Sequence, residues 1–575
     1  MNQKLENILN VSLDATEDEL RKADSLSTGY NWRDNTWEII VKYSGSLESI
    51  RNRYNVYIKE LLNYYAIIVA DKATIELISQ EDVIDYVEKP KSLYYQIERT
   101  KTAACVGSVR ADVNILSGKG VIVGVIDTGI DIFDNAFRNS DGTTRILNIY
   151  DQTTGEKYDK QSIDEYIRLN EDLSGGTFSY DNAPGVDNIM HGTDVSYIAA
   201  GSLGVAYEAD IIAVKMGYSI NNQFPRTTSL MDAIDYIIRK AIEYRKPVAV
   251  NISYGCNYGA HNGNTLLESF IDDISKSYRC VICVGSGNEA DKAIHFGGII
   301  NTGQVQTAYL SVGEYQSAID IQIWKNYWDT IDVMLINPRG EQIGIITEGR
   351  INRYETYNTE IITLLGEPSP YNIYQEIYIN LIPKTDYILS GIWQIVLMAG
   401  SIRAGEYNIW LPSSQALGYA TAFNNPTADG TITIPATARN CIAVGAYNAY
   451  TNSYAAFSGR GFDNSRNVNA GVKPDITAPG VDISIARQRG NDITYRNVTG
   501  TSYAVPVVTG AAALLMQWGI VMGNDRFMYG EKLKAALIDG SKPVGLVGIT
   551  RNDNQPDPRT GWGAVCLKNT LNKIL

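Results

Sequence analysis

The segment Val121-Ile122-Val123-Gly124-Val125-Ile126 limits the possible folds of this chain more than any other, because it is a nearly unbroken apolar, β-branched run that stops at Asp127-Thr128-Gly129. A strand with one wet face alternates apolar with polar residues. A continuous run is expected where both faces of a sheet are covered, as in parallel α/β sheets. An acid at the C-terminal end of such a strand lies where open α/β sheets place their sites. Cys280-Val281-Ile282-Cys283, leading into Val284-Gly285, repeats the pattern. Its two cysteines are three residues apart and so face opposite sides of a strand, which argues against a shared metal or redox pair.

Two further segments carry groups that can act together with such an acid. Gly500-Thr501-Ser502-Tyr503-Ala504 precedes Val505-Pro506-Val507-Val508 and a run of small residues, Thr509-Gly510-Ala511-Ala512-Ala513. This reads as a loop that delivers a hydroxyl to a helix N-terminus, with the proline in the first turn. The positive end of a helix favours negative charge developing nearby, as when a serine attacks a carbonyl. His191-Gly192-Thr193-Asp194-Val195 heads another short, small-residue helix. A serine hydroxyl is a poor nucleophile near neutral pH and needs a base; the base needs an acid that fixes its tautomer and stabilises its charged form. Ser502, His191 and Asp127 are the candidates for these roles. The other two histidines, His261 and His295, are expected to be a loop residue and a residue beside the loop at Asn288.

The order Asp, His, Ser is one of the known serine-protease orders. Asp127-Thr128-Gly129, His191-Gly192-Thr193 and Gly500-Thr501-Ser502-Tyr503-Ala504 resemble the three signature blocks of the subtilisin-like serine proteases. Val250-Asn251-Ile252-Ser253-Tyr254-Gly255, Val284-Gly285-Ser286-Gly287-Asn288-Glu289 and Lys473-Pro474-Asp475-Ile476-Thr477-Ala478-Pro479-Gly480 resemble three intervening blocks in family order. The resemblance implies an oxyanion hole formed by Asn288 and the Ser502 N–H. It also implies substrate-binding roles for Ser253, Tyr254, Gly255, Gly285, Ser286 and Gly287. One departure stands out: Asp194 occupies a position where the family usually has a second histidine, and this is expected to affect local packing.

At 575 residues the chain is too long for one ordinary domain. Residues 1–96 read as a small α+β unit, with strands at Trp37–Tyr43, Tyr65–Ala70 and Val83–Glu88 and a helix at Ala73–Ser79. Residues 97–297 and 431–575 carry the subtilisin-like α/β pattern of a parallel sheet with helices on both faces. Residues 298–430 read as an inserted β-sandwich or jelly roll, because short alternating strands such as Ile319–Trp324, Ile331–Ile336, Ile343–Thr347, Glu376–Leu381, Trp393–Leu397 and Tyr407–Leu411 replace the helix-and-strand alternation. An N-terminal unit without a signal sequence, together with this insertion, resembles the clostridial spore germination proteases called Csp. The resemblance implies a propeptide that is cut off near Gln96-Ile97 and stays bound. It also implies a spore location and a protein substrate, the zymogen of a cortex-lytic enzyme. Two alternatives are a pseudoprotease acting as germinant sensor or scaffold, and a general degradative subtilase.

The formal net charge of −14 argues against nucleic acid or an anionic membrane as the main partner. The longest apolar run, about 510–522, is too short to span a bilayer, and no secretion signal is legible at the start. All six cysteines are expected to be thiols of a reducing compartment. No cofactor or metal is expected. Structural calcium is not readable from the sequence, since Asp131 and Asp134 serve equally well as solvated turn residues.

Overall fold

The computed structural model describes residues 29–61, 65–88, 116–171, 183–217, 225, 227–346, 351–366, 372–462, 471–489, 492–545 and 556–575, together with Lys4, Leu5, Leu9, Ser12, Leu13, Glu17 and Leu20. It divides into two units, Met1–Tyr95 and Gln96–Leu575. The N-terminal unit is a five-stranded antiparallel sheet in which Thr36–Tyr43 pairs with Tyr30–Asn31, Tyr65–Ala70 and Ile84–Glu88. Helices Glu48–Tyr54 and Lys72–Ile78 complete it, and Ile39, Val41, Ile50, Ile68 and Ile75 are fully buried. Asp71 starts the second helix by accepting the Thr74 N–H at 2.9 Å, an ordinary N-cap. The strands and helix expected here are present. The Gln96-Ile97 bond and the Leu93–Gln96 tail lie outside the described residues.

In the larger unit, Ile122–Asp127 is the switch strand of a nine-stranded, mostly parallel sheet. It is flanked by Asp210–Lys215 and Val248–Ile252; beyond these lie Ile146–Asp151 on one side and Cys280–Gly285 with Ile442–Asn448 on the other. Every residue of Ile122–Asp127 is buried. Alternate residues feed two separate cores: Val123 and Val125 pack in the core that holds Ala511 and Ala512, whereas Ile122 and Ile126 share the other with Ile234 and Ile237. The run is therefore apolar throughout because neither face meets water. Cys280 and Cys283 also fall into opposite cores, and burial pushes both thiols up to about 12.

The helix Thr501–Met516 runs through the first core and packs against His191–Ala200. Its small residues serve this approach: a Cβ on Gly510 would lie 2.9 Å from the Ala199 carbonyl oxygen and 2.5 Å from Val205 Cβ. Extended to Val521, this helix is long and apolar enough to cross a membrane by length and composition, unlike the shorter run expected from sequence. Of its 18-residue apolar stretch 89% is buried within the protein, and packing inside a sheet-and-helix core accounts for its apolarity. Pro506 lies in the second turn, not the first.

The insertion is a pair of antiparallel sheets around a single core that includes Ile321, Ile323, Ile379, Trp393 and Ile395. One sheet runs His295–Ile299, Glu406–Trp410, Ile319–Asn326, Tyr374–Pro383, Thr359–Leu365, Ile351–Glu355; the other runs Gln342–Ile345, Ile331–Ile336, Gly391–Ala399, Val305–Val312, Ala422–Phe423. It begins earlier than the expected residue 298, because His295 already pairs with Trp410 in its first strand. His295 is thus a residue of the first strand of the sandwich. Two further expectations are corrected. Cys566 is disulfide-bonded, whereas Cys256, Cys280, Cys283 and Cys441 are free; pairing needs spatial proximity, which spacing along the chain does not reveal. Asp131 and Asp134 are not solvated turns but buried. Asp131 accepts from Arg489 Nε at 2.7 Å and Asp134 caps a short turn through the Ala136 N–H, because the hairpin formed by Ile483–Arg489 and Asp492–Val498 folds over both.

Candidate active site

Asp127 ends the central strand at the topological switch point, and its carboxylate meets His191 Nδ1 at 2.6 Å. Two glycines permit this approach. A Cβ on Gly192 would fall 2.3 Å from the Gly129 carbonyl oxygen, and one on Gly129, at φ 134, would fall 2.4 Å from that of Gly185. The Asp-Thr-Gly and His-Gly-Thr blocks therefore interlock backbone against backbone. Asp187, fully buried, fastens them: it accepts from Thr128 Oγ1 at 2.8 Å, from the Met190 N–H at 2.7 Å and from the Thr193 N–H at 2.8 Å. Thr128 Oγ1 in turn accepts the Gly192 N–H at 2.9 Å.

Burial works against a charged His191, but the charge and hydrogen bond of Asp127, with Asp187 behind it, outweigh burial and raise its pKa above the ordinary imidazole value. Arg496 acts in the opposite sense. Among the described residues the ring makes its one hydrogen bond to Asp127 and none to Ser502. It lies 5.2 Å, centroid to centroid, from the ring of Tyr503.

Ser502 is the second residue of its helix, behind Gly500 at φ 149, a conformation that favours glycine. Pro506 has no N–H, so the Ser502 carbonyl lacks its helical partner. Ser253 Oγ supplies a substitute donor at 3.4 Å. That hydroxyl accepts from Asn251 Nδ2 at 3.0 Å, and Asn251 Oδ1 accepts from Thr509 Oγ1 at 3.1 Å. A hydrogen-bonded relay therefore runs from the strand Val248–Ile252 to the serine.

Asn288 is exposed, and its Oδ1 accepts from both the Thr501 N–H, at 3.0 Å, and Thr501 Oγ1, at 3.1 Å. A backbone N–H can only donate, so this contact fixes the amide orientation and directs Nδ2 away from Thr501. A Cβ on Gly500 would sit 3.6 Å from that nitrogen. Of the six expected substrate-binding residues, Ser253, Tyr254, Gly255 and Gly287 reach the surface, whereas Gly285 and Ser286 are buried. Ser286 spends its N–H on the Val444 carbonyl, its carbonyl on the Thr433 N–H and its hydroxyl on Ser458, so it supports the site from within. The sequence reading assigns no site role to Asp187, and none to Asn251 or Thr509, although both stand in or near the signature blocks. Only the fold shows what these side chains touch at the site.

A model of the subtilase family matches residues 118–368 and 404–563. The chain belongs to the subtilase family, whose members are serine endopeptidases. A model of the Csp protease B prodomain matches residues 3–91 of this subtilase. Its structure is similar to that of the Clostridium perfringens CspB protease, with a TM-score of 0.75 and 34% identity, covering 83% of this chain and 97% of that one. Among curated relatives it is 33% identical over 127 residues to the subtilase-type proteinase RRT12 of Saccharomyces cerevisiae, covering 22% of this chain and 23% of that protein. It is 39% identical over 106 residues to subtilisin E of Bacillus subtilis, covering 18% and 24%. The chain thus matches about a quarter of the length of these curated relatives.

Proposed function

We propose that this subtilase cuts peptide bonds with Ser502 as nucleophile, His191 as general base and Asp127 as the acid that holds the base. The observation that carries this reading is the 2.6 Å contact between buried Asp127 and His191, beside the first turn of the helix Thr501–Met516 that carries Ser502. His191 Nδ1–H donates to Asp127, which leaves Nε2 to take the Ser502 proton as Oγ attacks the scissile carbonyl. The same proton then passes to the leaving amine, and water repeats the cycle on the acyl-enzyme. Charge developing on the carbonyl oxygen is met by Asn288 Nδ2 and the Ser502 N–H at the helix N-terminus. Ser253, Tyr254, Gly255 and Gly287 flank the bound chain.

The prodomain match supports a zymogen that processes itself once, near Gln96-Ile97, and retains the freed propeptide. The likeness to the CspB protease supports a role in spore germination, acting on the zymogen of a cortex-lytic enzyme inside the spore. We read the insertion as a jelly roll, since the chain crosses repeatedly between two antiparallel sheets that share one core. No cofactor is invoked. Wild-type protein should run as two co-purifying fragments on a denaturing gel, and Ser502→Ala as one uncut chain. The candidate cortex hydrolase zymogen should be clipped at one bond by the first and left intact by the second. A Ser502→Ala variant that matures at the wild-type rate would remove the serine from its role.

A further inference from the structure

Asp194, in the first turn of the His191 helix, is fully buried, and an uncompensated carboxylate there would be costly. Two guanidinium groups meet it. Arg487 donates from Nε at 2.9 Å and makes a second, closer contact from its terminal nitrogen, while Arg496 pairs with the other carboxylate oxygen. Both arginines also donate to the Met190 carbonyl, at 2.8 and 3.2 Å. Met190, immediately before His191, adopts a left-handed φ of 66 that favours glycine, and its N–H is held by Asp187. A residue strained in this way stays put only when its surroundings over-determine it.

The two arginines come from the hairpin that leads into the serine. Arg487 lies on Ile483–Arg489 and Arg496 on Asp492–Val498; their cross-strand partners are Thr494 and Ile485, so they are diagonal neighbours on one face. The base of the hairpin is fixed by Gly500 N–H to the Gly480 carbonyl at 2.8 Å and by Asp482 N–H to Thr499 Oγ1 at 2.9 Å. Ser502 follows two residues after Gly500. One ionic cluster therefore ties the segment carrying the nucleophile to the turn carrying the base.

We propose that Arg487, Asp194 and Arg496 form a clamp that locks the His191 helix to the hairpin leading into Ser502, with both arginines acting as positioning residues for the catalytic base. The inference rests on the assignment of His191 as that base. The two arginines divide the task. Arg487 is nearly buried and engages Asp194 through two nitrogens and Met190 through one, a fork that lysine cannot copy. Arg496 is 40% exposed and contributes chiefly a positive charge. The charged groups acting on His191 are Asp127 from the central strand, Asp187 from the preceding loop and Arg496 from the hairpin, with the Tyr503 ring alongside. The carboxylates favour the imidazolium and Arg496 opposes it.

A fluorophosphonate probe, which phosphonylates an activated serine with loss of fluoride, reports the base at Ser502 without any choice of peptide substrate. Its labelling rate is measured from acid to alkaline pH on the full chain, with thermal unfolding as the check on folding. Arg487→Met should lower the plateau rate by about 10²-fold, as misplacement by an ångström does, and Arg487→Lys should not restore it. Arg496→Met should move the acid limb to higher pH, since removing a cation favours the imidazolium; Arg496→Lys should return it. A purely structural cluster would lower the melting temperature and leave the acid limb in place. Folded variants with the wild-type plateau and limb would overturn the clamp. If Arg496→Met does not fold, the wild type alone decides: salt screens exposed Arg496 more than buried Asp127 and Asp187, so the limb should rise with salt. Because the chain carries −14, general screening acts the other way, and a falling or fixed limb counts against the clamp. A wild type that takes no label sinks the catalytic assignment itself, and the clamp with it.

Discussion

The parallel sheet and the inserted sandwich solve the same burial problem in opposite ways. Ile122–Asp127, Val248–Ile252 and Cys280–Gly285 are buried at every residue, whereas Ile319–Asn326 and Tyr374–Pro383 mostly alternate buried with half-buried positions. A strand covered on both faces has no exposed side chain with which to do chemistry, so function moves to the strand ends: Asp127, Ser253 and Asn288 each stand at or just past one. The sandwich keeps one face of each sheet for its own core, and the polar groups of its first sheet are largely used against neighbours. Lys325 Nζ is buried among the carbonyl of Asp329 and the side-chain oxygen of Gln375, at 2.6 Å each.

The three histidines make the contrast concrete. His191 faces a carboxylate, and its pKa is raised. His261 stacks on Trp410 of the sandwich at 4.1 Å with planes 15° apart, and His295 stacks on the same indole at 4.9 Å. Burial pushes His261 down to about 4, although its ring nitrogens face the Ile432 carbonyl at 2.7 Å and the Asn257 carbonyl at 3.2 Å. A neutral ring donates only once, and the shorter contact, Nδ1 to Ile432, takes that proton. One imidazole is held ready to change charge and the other to keep it fixed.

If this division is right, variants at the strand ends should lose rate without stability, and variants at the sandwich seam should lose stability without rate per folded molecule. The largest effect is expected for Ser502→Ala: a loss of about 10⁶ in turnover, as known for subtilisin, with a melting temperature close to wild type. Trp410→Ala should come next, at about 3–5 kcal/mol of stability by chemical denaturation, with near-normal fluorophosphonate labelling of the fraction still folded. A Trp410 variant that stays stable but labels slowly would erase the boundary between the two regions. Asn288→Ala should slow turnover by about 10² to 10³, again the subtilisin scale for one oxyanion donor, with little change in the Michaelis constant. Glu289→Gln tests the join itself, because Glu289 follows Asn288 and accepts from the Ser414 N–H at 3.1 Å at the exit of the sandwich. Its amide keeps an acceptor, so a cost of about 1 kcal/mol in stability is expected, and a drop in rate as large as that of Asn288→Ala would show that the insertion governs the oxyanion hole. The smallest effect is a matter of position on the pH axis: a general base must be neutral, so the raised pKa of His191 places the acid limb of labelling above the ordinary value of about 6.5. A limb below that value would mean that Arg496 and burial together outweigh Asp127.

Where a local pattern has one physical cause, the sequence was readable. The run from Val121 to Ile126 is apolar because two cores claim its alternate residues, and the Asp, His and Ser blocks stand out because glycine and small residues must surround groups packed backbone to backbone. The alternation in Ile319–Trp324 and Glu376–Leu381 marks one-sided burial in the same direct way. Where the cause lies between distant segments, the sequence was silent. Asp187 carries no mark four residues before His191. Asp131 and Asp134 look like turn residues until the hairpin at 483–498 covers them, and the start of the sandwich is misplaced because His295 finds its strand partner at Trp410, 115 positions along the chain.

Sequence alone determined the residue types that the chemistry requires, their order along the chain and the two modes of strand burial, because each depends on near neighbours and on apolar period. Tertiary structure alone decided which polar groups serve the site. Asn251 reaches the serine through Ser253, Thr501 turns the Asn288 amide, and Asp194 finds Arg487 and Arg496 some 300 residues away. Buried polar groups must find partners wherever the fold places them, and that demand is satisfied in space, not along the chain.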